Sequence, residues 1–268
     1  MARIPKKNTS SKKVTSKRRA PVKKSNSDEV RLNRFLALCG ISSRRKADEH
    51  IEEGLVTVNG KKIFEMGHKV NPNKDTVLFR GKPVKAVENH TYLVAYKPRN
   101  VLTTLSDPLE RPTIKDFIPK KYKKENLFPI GRLDWLSEGL LILTNDGEFA
   151  QNVLHPKKNV PKTYEVKVEG RVLAKDLDKL VKGVTIPGGK AYAIKADTIK
   201  KSTTGSHTWL KITVVEGRNR LIRKMMDKLG YSVMRLRRIS IGNLKVSHLK
   251  AGDVVELSSE KKELVFQV

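Results

Sequence analysis

The chain has 268 residues, one cysteine and a formal net charge of +28, from 56 Lys+Arg against 28 Asp+Glu. That length supports one or two domains with a real core. The charge argues against a neutral metabolic enzyme and calls for a polyanionic partner. Cys39, standing alone, excludes an intramolecular disulfide and the clustered thiols of structural zinc sites. No apolar stretch approaches the ~20 residues of a membrane span, and the basic N-terminus lacks the apolar run of a secretory signal. The composition describes a soluble, intracellular protein that faces nucleic acid.

Residues 1–27 contain ten Lys and Arg, no acid and no aromatic residue, and are rich in Ser, Thr and Pro. Such a segment buries too little apolar area to offset backbone entropy and is expected to be disordered. It reads as an electrostatic arm for phosphate backbones, with a solubilising tail as the plainer alternative.

Residues 28–90 form the first folded unit. Leu32, Phe35, Leu36 and Cys39 fall at helical spacing, and Gly40 stops that helix. Ser42 or Ser43 caps a second helix through Arg44, Arg45, Lys46, Ala47 and Ile51 to about Glu53. Leu55 to Val58 is a short strand, and Asn59-Gly60 signals a hairpin returning through Lys61 to Ile63. Basic residues gather at the start of both helices, where backbone N–H groups also favour phosphate.

Residues 91–260 form the larger unit, followed by a tail at 261–268. Tyr92, Val94 and Tyr96 alternate into Lys97-Pro98, and Leu140 to Thr144 is a continuous apolar run, hence a buried strand. A helix through Phe149 to Leu154 follows, then a strand at Tyr164, Val166 and Val168. Leu173–Val181 is a helix, Ala193–Ile199 and Trp209–Val215 are strands, and Arg218–Leu229 is a helix. Val233–Ile239 and Val254–Leu257 complete the set. Strands outnumber helices, so the class is α+β with a mainly antiparallel sheet.

Few residues are placed for chemistry. The six histidines are scattered without ligand spacing, and Gly188-Gly189-Lys190 lacks the form of a phosphate loop. Neither a nucleotide cofactor nor a catalytic metal is indicated. What remains is Pro129–Gly147, PIGRLDWLSEGLLILTNDG, with Asp134 just ahead of the buried strand and Arg132 two residues before it. A carboxylate beside arginines stays ionised because the cation favours its charged form, and it can act as a nucleophile. The same window also fits a surface Asp–Arg pair or a turn cap. Asp134 with Glu138 resembles a glycosidase pair only in spacing, and this charge suits a neutral sugar poorly.

Two resemblances sharpen the picture. VRLNRFLALCGISSRRKADEHIEEGLVTVNGKKI, from Val30 to Ile63, resembles an S4 RNA-binding domain. That resemblance implies a small α/β RNA-binding module, with Arg31, Arg34, Arg44, Arg45 and Lys46 as phosphate contacts. GRLDWLSEGLLILTNDG, Lys162-Thr163-Tyr164-Glu165-Val166 and EGRNRLIRKM from Glu216 to Met225 resemble, in order, three motifs of the pseudouridine synthases, RsuA/RluB-type branch. An S4 module ahead of that catalytic domain is the arrangement of the branch. The resemblance implies that Asp134 is the nucleophile and Arg223 its ion-pair partner. It implies that Tyr164 packs on the target base, and that Leu221 or Ile222 lines the pocket. Lys162 and Arg132, with Arg218 and Arg220 of the third motif, would contact substrate RNA. Trp135-Leu136-Ser137 departs from the smaller or more polar residues common in the family.

The implied reaction breaks the uridine N1–C1′ bond and forms C5–C1′. Nothing is oxidised and no group is donated, so the expectation is an isomerase without cofactor or metal. The implied partner is ribosomal RNA or a ribosomal assembly intermediate, leaning toward large-subunit RNA. Small-subunit RNA and a noncatalytic assembly factor are the alternatives. A monomer in a bacterial cytoplasm, or in an organelle, completes the expectation.

Overall fold

The computed structural model describes residues 28–245 and 247–267. The basic segment 1–27 therefore lies outside the described residues. In the first unit α1 (Leu32–Leu38) and α2 (Arg44–Glu52) share one apolar core with β1 (Val56–Val58) and β2 (Val77–Phe79). Ser43 caps α2, its hydroxyl accepting from the Lys46 amide at 3.4 Å. Asn59 and Gly60 both take the positive φ that a two-residue hairpin turn requires. Cys39 packs against this core, and burial pushes its thiol up to about 11, the state of an inert side chain.

The second unit is built on one nine-stranded sheet. Its main strands are β3 (Tyr92–Lys97), β4 (Ser137–Thr144), β5 (Lys162–Glu169), β6 (Lys195–Lys201), β7 (His207–Val214), β8 (Val233–Ile241) and β9 (Val254–Glu256). They lie in the order β6-β7-β5-β8-β4-β3-β9, and all neighbours in that path are antiparallel except β8 with β4. The class is α+β with a mainly antiparallel sheet.

Every residue of β4 is buried, because the strand has apolar partners on both faces. Leu140 and Ile142 pack with Phe149 and Val153 of α3 (Gly147–Leu154). Leu141 and Leu143 pack with Ile114, Ile118 and Leu127 of the preceding connection. The other half of the sheet is covered by α4 (Ala174–Lys182) and α5 (Leu221–Lys228), which set Leu180, Ile222, Met225 and Met226 on Val166, Leu210 and Leu236.

Two segments differ from the sequence expectation. The helix expected from Arg218 begins only at Leu221, because Arg220 is left-handed with φ 52° and Arg218 is engaged by a neighbouring hairpin. The segment expected as a tail after 260 belongs to the fold. It continues α6 (Ser259–Glu263), buries Val265 completely and sets Phe266 edge-on to Phe149 at 5.6 Å between ring centroids. An apolar Leu264-Val265-Phe266 run has area to gain by docking, whatever its place in the chain. Among the described residues, no helix is long and apolar enough to cross a membrane.

Candidate active site

Asp134 lies in the loop that enters β4, and the loop is tied down on each side of it. The Thr103 hydroxyl donates to the Leu133 carbonyl at 2.7 Å and accepts from the Leu133 amide at 3.2 Å. The Asn100 amide donates to the Trp135 carbonyl at 2.8 Å, and Ser137 turns back to the Asp134 carbonyl at 2.9 Å. Lys97, fully buried at the end of β3, donates to the carbonyls of Ser137 at 2.8 Å and Pro98 at 2.7 Å. The end of β3 and the irregular stretch just after it thus hold the Asp134-bearing loop in one conformation, as a positioned reactive group requires.

The loop borders a cavity of about 600 Å³. Asp134, Arg132, Lys162, Tyr164, Arg218, Arg220, Leu221 and Ile222 all line it, so residues far apart in sequence meet at one site. Tyr164 comes from the centre of the sheet, opposite Ile212 on β7 and Arg238 on β8. Leu221 and Ile222 come from the first turn of α5, Leu154 from the end of α3 and Pro156 from the 3-10 turn after it. An aromatic ring, two aliphatic side chains and a carboxylate suit a flat base attached to a sugar.

Several expected residues are held differently from the expectation, and Arg223 does not line the cavity. Arg223 is 6% exposed, its Nη1 donates to the Val233 carbonyl at 2.9 Å, and its Nε and Nη2 are buried without partners. Burial lowers its guanidinium from the ordinary value, Arg220 adds to that, and the charge of Asp134 acts the other way. The two groups feel one another but are not joined as an ion pair. Lys162 is 8% exposed and donates to the carbonyls of Val160 at 2.8 Å, Val215 at 3.4 Å and Val153 at 3.5 Å. It braces three separate segments by their carbonyls, and burial brings it down to about 8.

Arg218 bonds twice to Glu216, and to the carbonyls of Gly188, Gly189 and Lys190 in the hairpin Val184–Ile186 with Gly189–Ala191. Its donors therefore hold the third-motif loop against that hairpin. Arg132 and Arg220 are the exposed cations at the cavity. Arg31, Arg34, Arg44, Arg45 and Lys46 are exposed on the first unit and do not border the cavity; Lys46 pairs with Glu49 at 2.5 Å.

Sequence reasoning missed Lys97, Thr103 and Arg238. Arg238 also lines the cavity, is 4% exposed, and donates from Nε to the Leu140 carbonyl at 2.7 Å. The available signal was a charged residue inside an apolar strand: Lys97 ends YLVAYK, and Arg238 sits in MRLRRISI.

Residues 91–228 match the RNA pseudouridylate synthase family and residues 30–75 match the S4 domain. An uncharacterised RNA pseudouridine synthase of Aquifex aeolicus (strain VF5) is 43% identical over 241 residues, covering 89% of this chain and 94% of its own. The chain belongs to the RNA pseudouridylate synthase family. Ribosomal large subunit pseudouridine synthase B of Bacillus subtilis (strain 168) is 39% identical over 228 residues, or 85% of this chain and 92% of its own. A crystal structure of a pseudouridylate synthase superposes with a TM-score of 0.61 at 25% identity, over 88% of this chain and 99% of that one. This pseudouridine synthase accordingly pairs an S4 RNA-binding module with the family's catalytic fold, and its reaction is the isomerisation of uridine in RNA.

Proposed function

We propose that this pseudouridine synthase modifies a uridine of large-subunit ribosomal RNA, with Asp134 as the nucleophile. One observation carries the reading: Asp134, Tyr164 and the Leu221–Ile222 turn border a single cavity. The similarity to a large-subunit enzyme supports the choice of RNA. The bacterial cytoplasm is then its place of action, and ribosomal RNA or an assembling subunit is its partner.

The target uridine leaves its stack to enter the cavity, at a cost of a few kcal/mol in a duplex and less in a loop. The Tyr164 ring offsets part of that cost by stacking, and the buried Leu221 and Ile222 help exclude water from the same cavity. Asp134 acts at C1′ as the N1–C1′ bond breaks, either adding to the sugar or drawing off a proton toward a glycal. Both routes need a charged carboxylate close to C1′. The freed uracil turns within the cavity and bonds through C5. The C5 proton is then lost and N1 gains one, so atoms and charge balance. Arg132 and Arg220 face solvent at the rim and meet the backbone phosphates, while the basic surface of the S4 module holds RNA farther out.

The test is a pseudouridine map of total ribosomal RNA from cells lacking the protein, complemented with wild type or Asp134→Asn. We expect one large-subunit site to vanish and only wild type to restore it. Restoration by the Asn variant would remove Asp134 from the chemistry, and an unchanged map would remove ribosomal RNA as substrate.

A further inference from the structure

Arg238 is a buried cation without a counter-ion. No carboxylate pairs with it among the described residues, its Nη2 is buried without a partner, and it borders the cavity that holds Asp134. The sheet fixes its place. Arg238 stands opposite Tyr164 on one side and Gly139 on the other. A Cβ at Gly139 would fall 2.2 Å from the Arg238 carbonyl oxygen, so only glycine lets the two strands approach this closely. Arg238 therefore lies between the strand that carries the stacking ring and the strand that follows the nucleophile loop.

Its neighbours add to the excess of charge. Burial lowers both Lys97 and Lys162 to about 8; repulsion from Arg238 acts in the same direction on each, while the charges of Asp134 and Glu138 partly oppose the shift at Lys97. Holding like charges in a desolvated place is unfavourable for the fold. It becomes favourable if negative charge arises there during the reaction. The exposed Arg132 and Arg220 suit a phosphate that stays on the RNA backbone, whereas a buried floor suits charge that forms on the base.

We propose that Arg238 stabilises the uracil as it leaves C1′, an assignment that rests on reading the cavity as the uridine site. When the N1–C1′ bond breaks, its electron pair goes with N1 and spreads onto O2 and O4 of the ring. A guanidinium donor aimed at one of those oxygens strengthens as that charge grows. Arginine neither gives nor takes a proton in this step. When C5 bonds to C1′ and its proton is lost, the ring returns to neutrality and the interaction relaxes.

The experiment uses the full-length chain as wild type, Arg238→Met and Arg238→Lys, with unmodified large- and small-subunit ribosomal transcripts carrying tritium at uridine C5. Tritium release reads the loss of the C5 hydrogen that follows C5–C1′ bond formation, in a single turnover. A wild type that releases no tritium from either transcript overturns ribosomal RNA as the substrate, and with it the reading of the cavity on which this assignment rests. With an active wild type, Arg238→Met is expected to slow release by about 10²–10³-fold, to keep RNA affinity within about threefold, and to melt at or above the wild-type temperature. Arg238→Lys, which keeps the charge, is expected to recover a large part of the rate. In transcripts made with 5-fluorouridine the electron-poor ring bears negative charge more readily. There the Met deficit, read as rearranged nucleoside by mass spectrometry, should shrink at least about tenfold. A merely structural Arg238 predicts a lower melting temperature and the same deficit in both RNAs. Either that pattern or wild-type turnover by the Met variant overturns the assignment.

Discussion

Adjacent residues of one strand play opposite parts in this enzyme. On β8, Arg235 and Arg237 share a face, and Arg238 points to the other. Arg235 forks onto Glu138 and Arg237 pairs with Glu165, both at the half-exposed back of the sheet. Arg238 faces the cavity that Asp134 borders, more deeply buried than either and with no carboxylate partner among the described residues. A cation that meets a carboxylate in the folded protein is accounted for by the fold. One kept dry and unpaired is a standing cost, and such costs gather where a reaction supplies the missing charge. Charge alone therefore says little about an arginine here; its face and its counter-ion decide the role.

The contrast can be broken at its hinge. Gly139→Ala combines a positive φ of 106° with a methyl driven into the Arg238 backbone. It should destabilise by roughly 4 kcal/mol or more, read as a large drop in the urea midpoint with activity lost through unfolding. An unfolding free energy within about 1 kcal/mol of wild type would mean that β4 and β8 separate freely, and the close approach would lose its significance.

The paired face should behave in the reverse sense to the cavity face. Arg235→Met leaves Glu138, which is 4% exposed, without its main partner. We expect a loss of about 1–2 kcal/mol, tempered because Arg235 is itself part-exposed, with single-turnover rates within about threefold of wild type. A rate collapse with unchanged stability would erase the distinction between the faces.

The smallest effect is a slope. Lys97 is held near 8 by burial, against 10.5 for an ordinary lysine, with Asp134 and Glu138 partly opposing the shift. Between those values the unfolded chain binds more protons than the folded one, so stability rises with pH across that window. Below about 8 both states are protonated and this contribution is flat. Lys97→Met removes the group, and its urea midpoint should climb less steeply from pH 8 to 10 than that of wild type. Equal slopes would show that Lys97 titrates as a solvated lysine.

Much of the fold was legible because local rules and tertiary context agreed. The apolar spacing of Leu32, Phe35 and Leu36, the Ser43 cap and the Asn59-Gly60 turn specify the first unit almost unaided. The run Leu140–Thr144 announced a doubly covered strand, and the three ordered motifs announced the family. The left-handed Arg220 and the docked Val265 were not legible. A backbone turn held by a distant hairpin, and an apolar terminus, have no periodicity to read.

The sequence by itself determined the basic, RNA-facing character of the chain, its two units and the residues Asp134 and Tyr164 as candidates, since spacing and motif order are properties of one dimension. Only the tertiary structure decided which cations do what. Arg218 clamps a hairpin, Lys162 braces carbonyls, Lys97 secures the Asp134 loop, and Arg238 stands unpaired beside the cavity. The reason is physical: a charge is defined by its surroundings, and burial, counter-ions and carbonyl partners come from strands that neighbour one another only after folding.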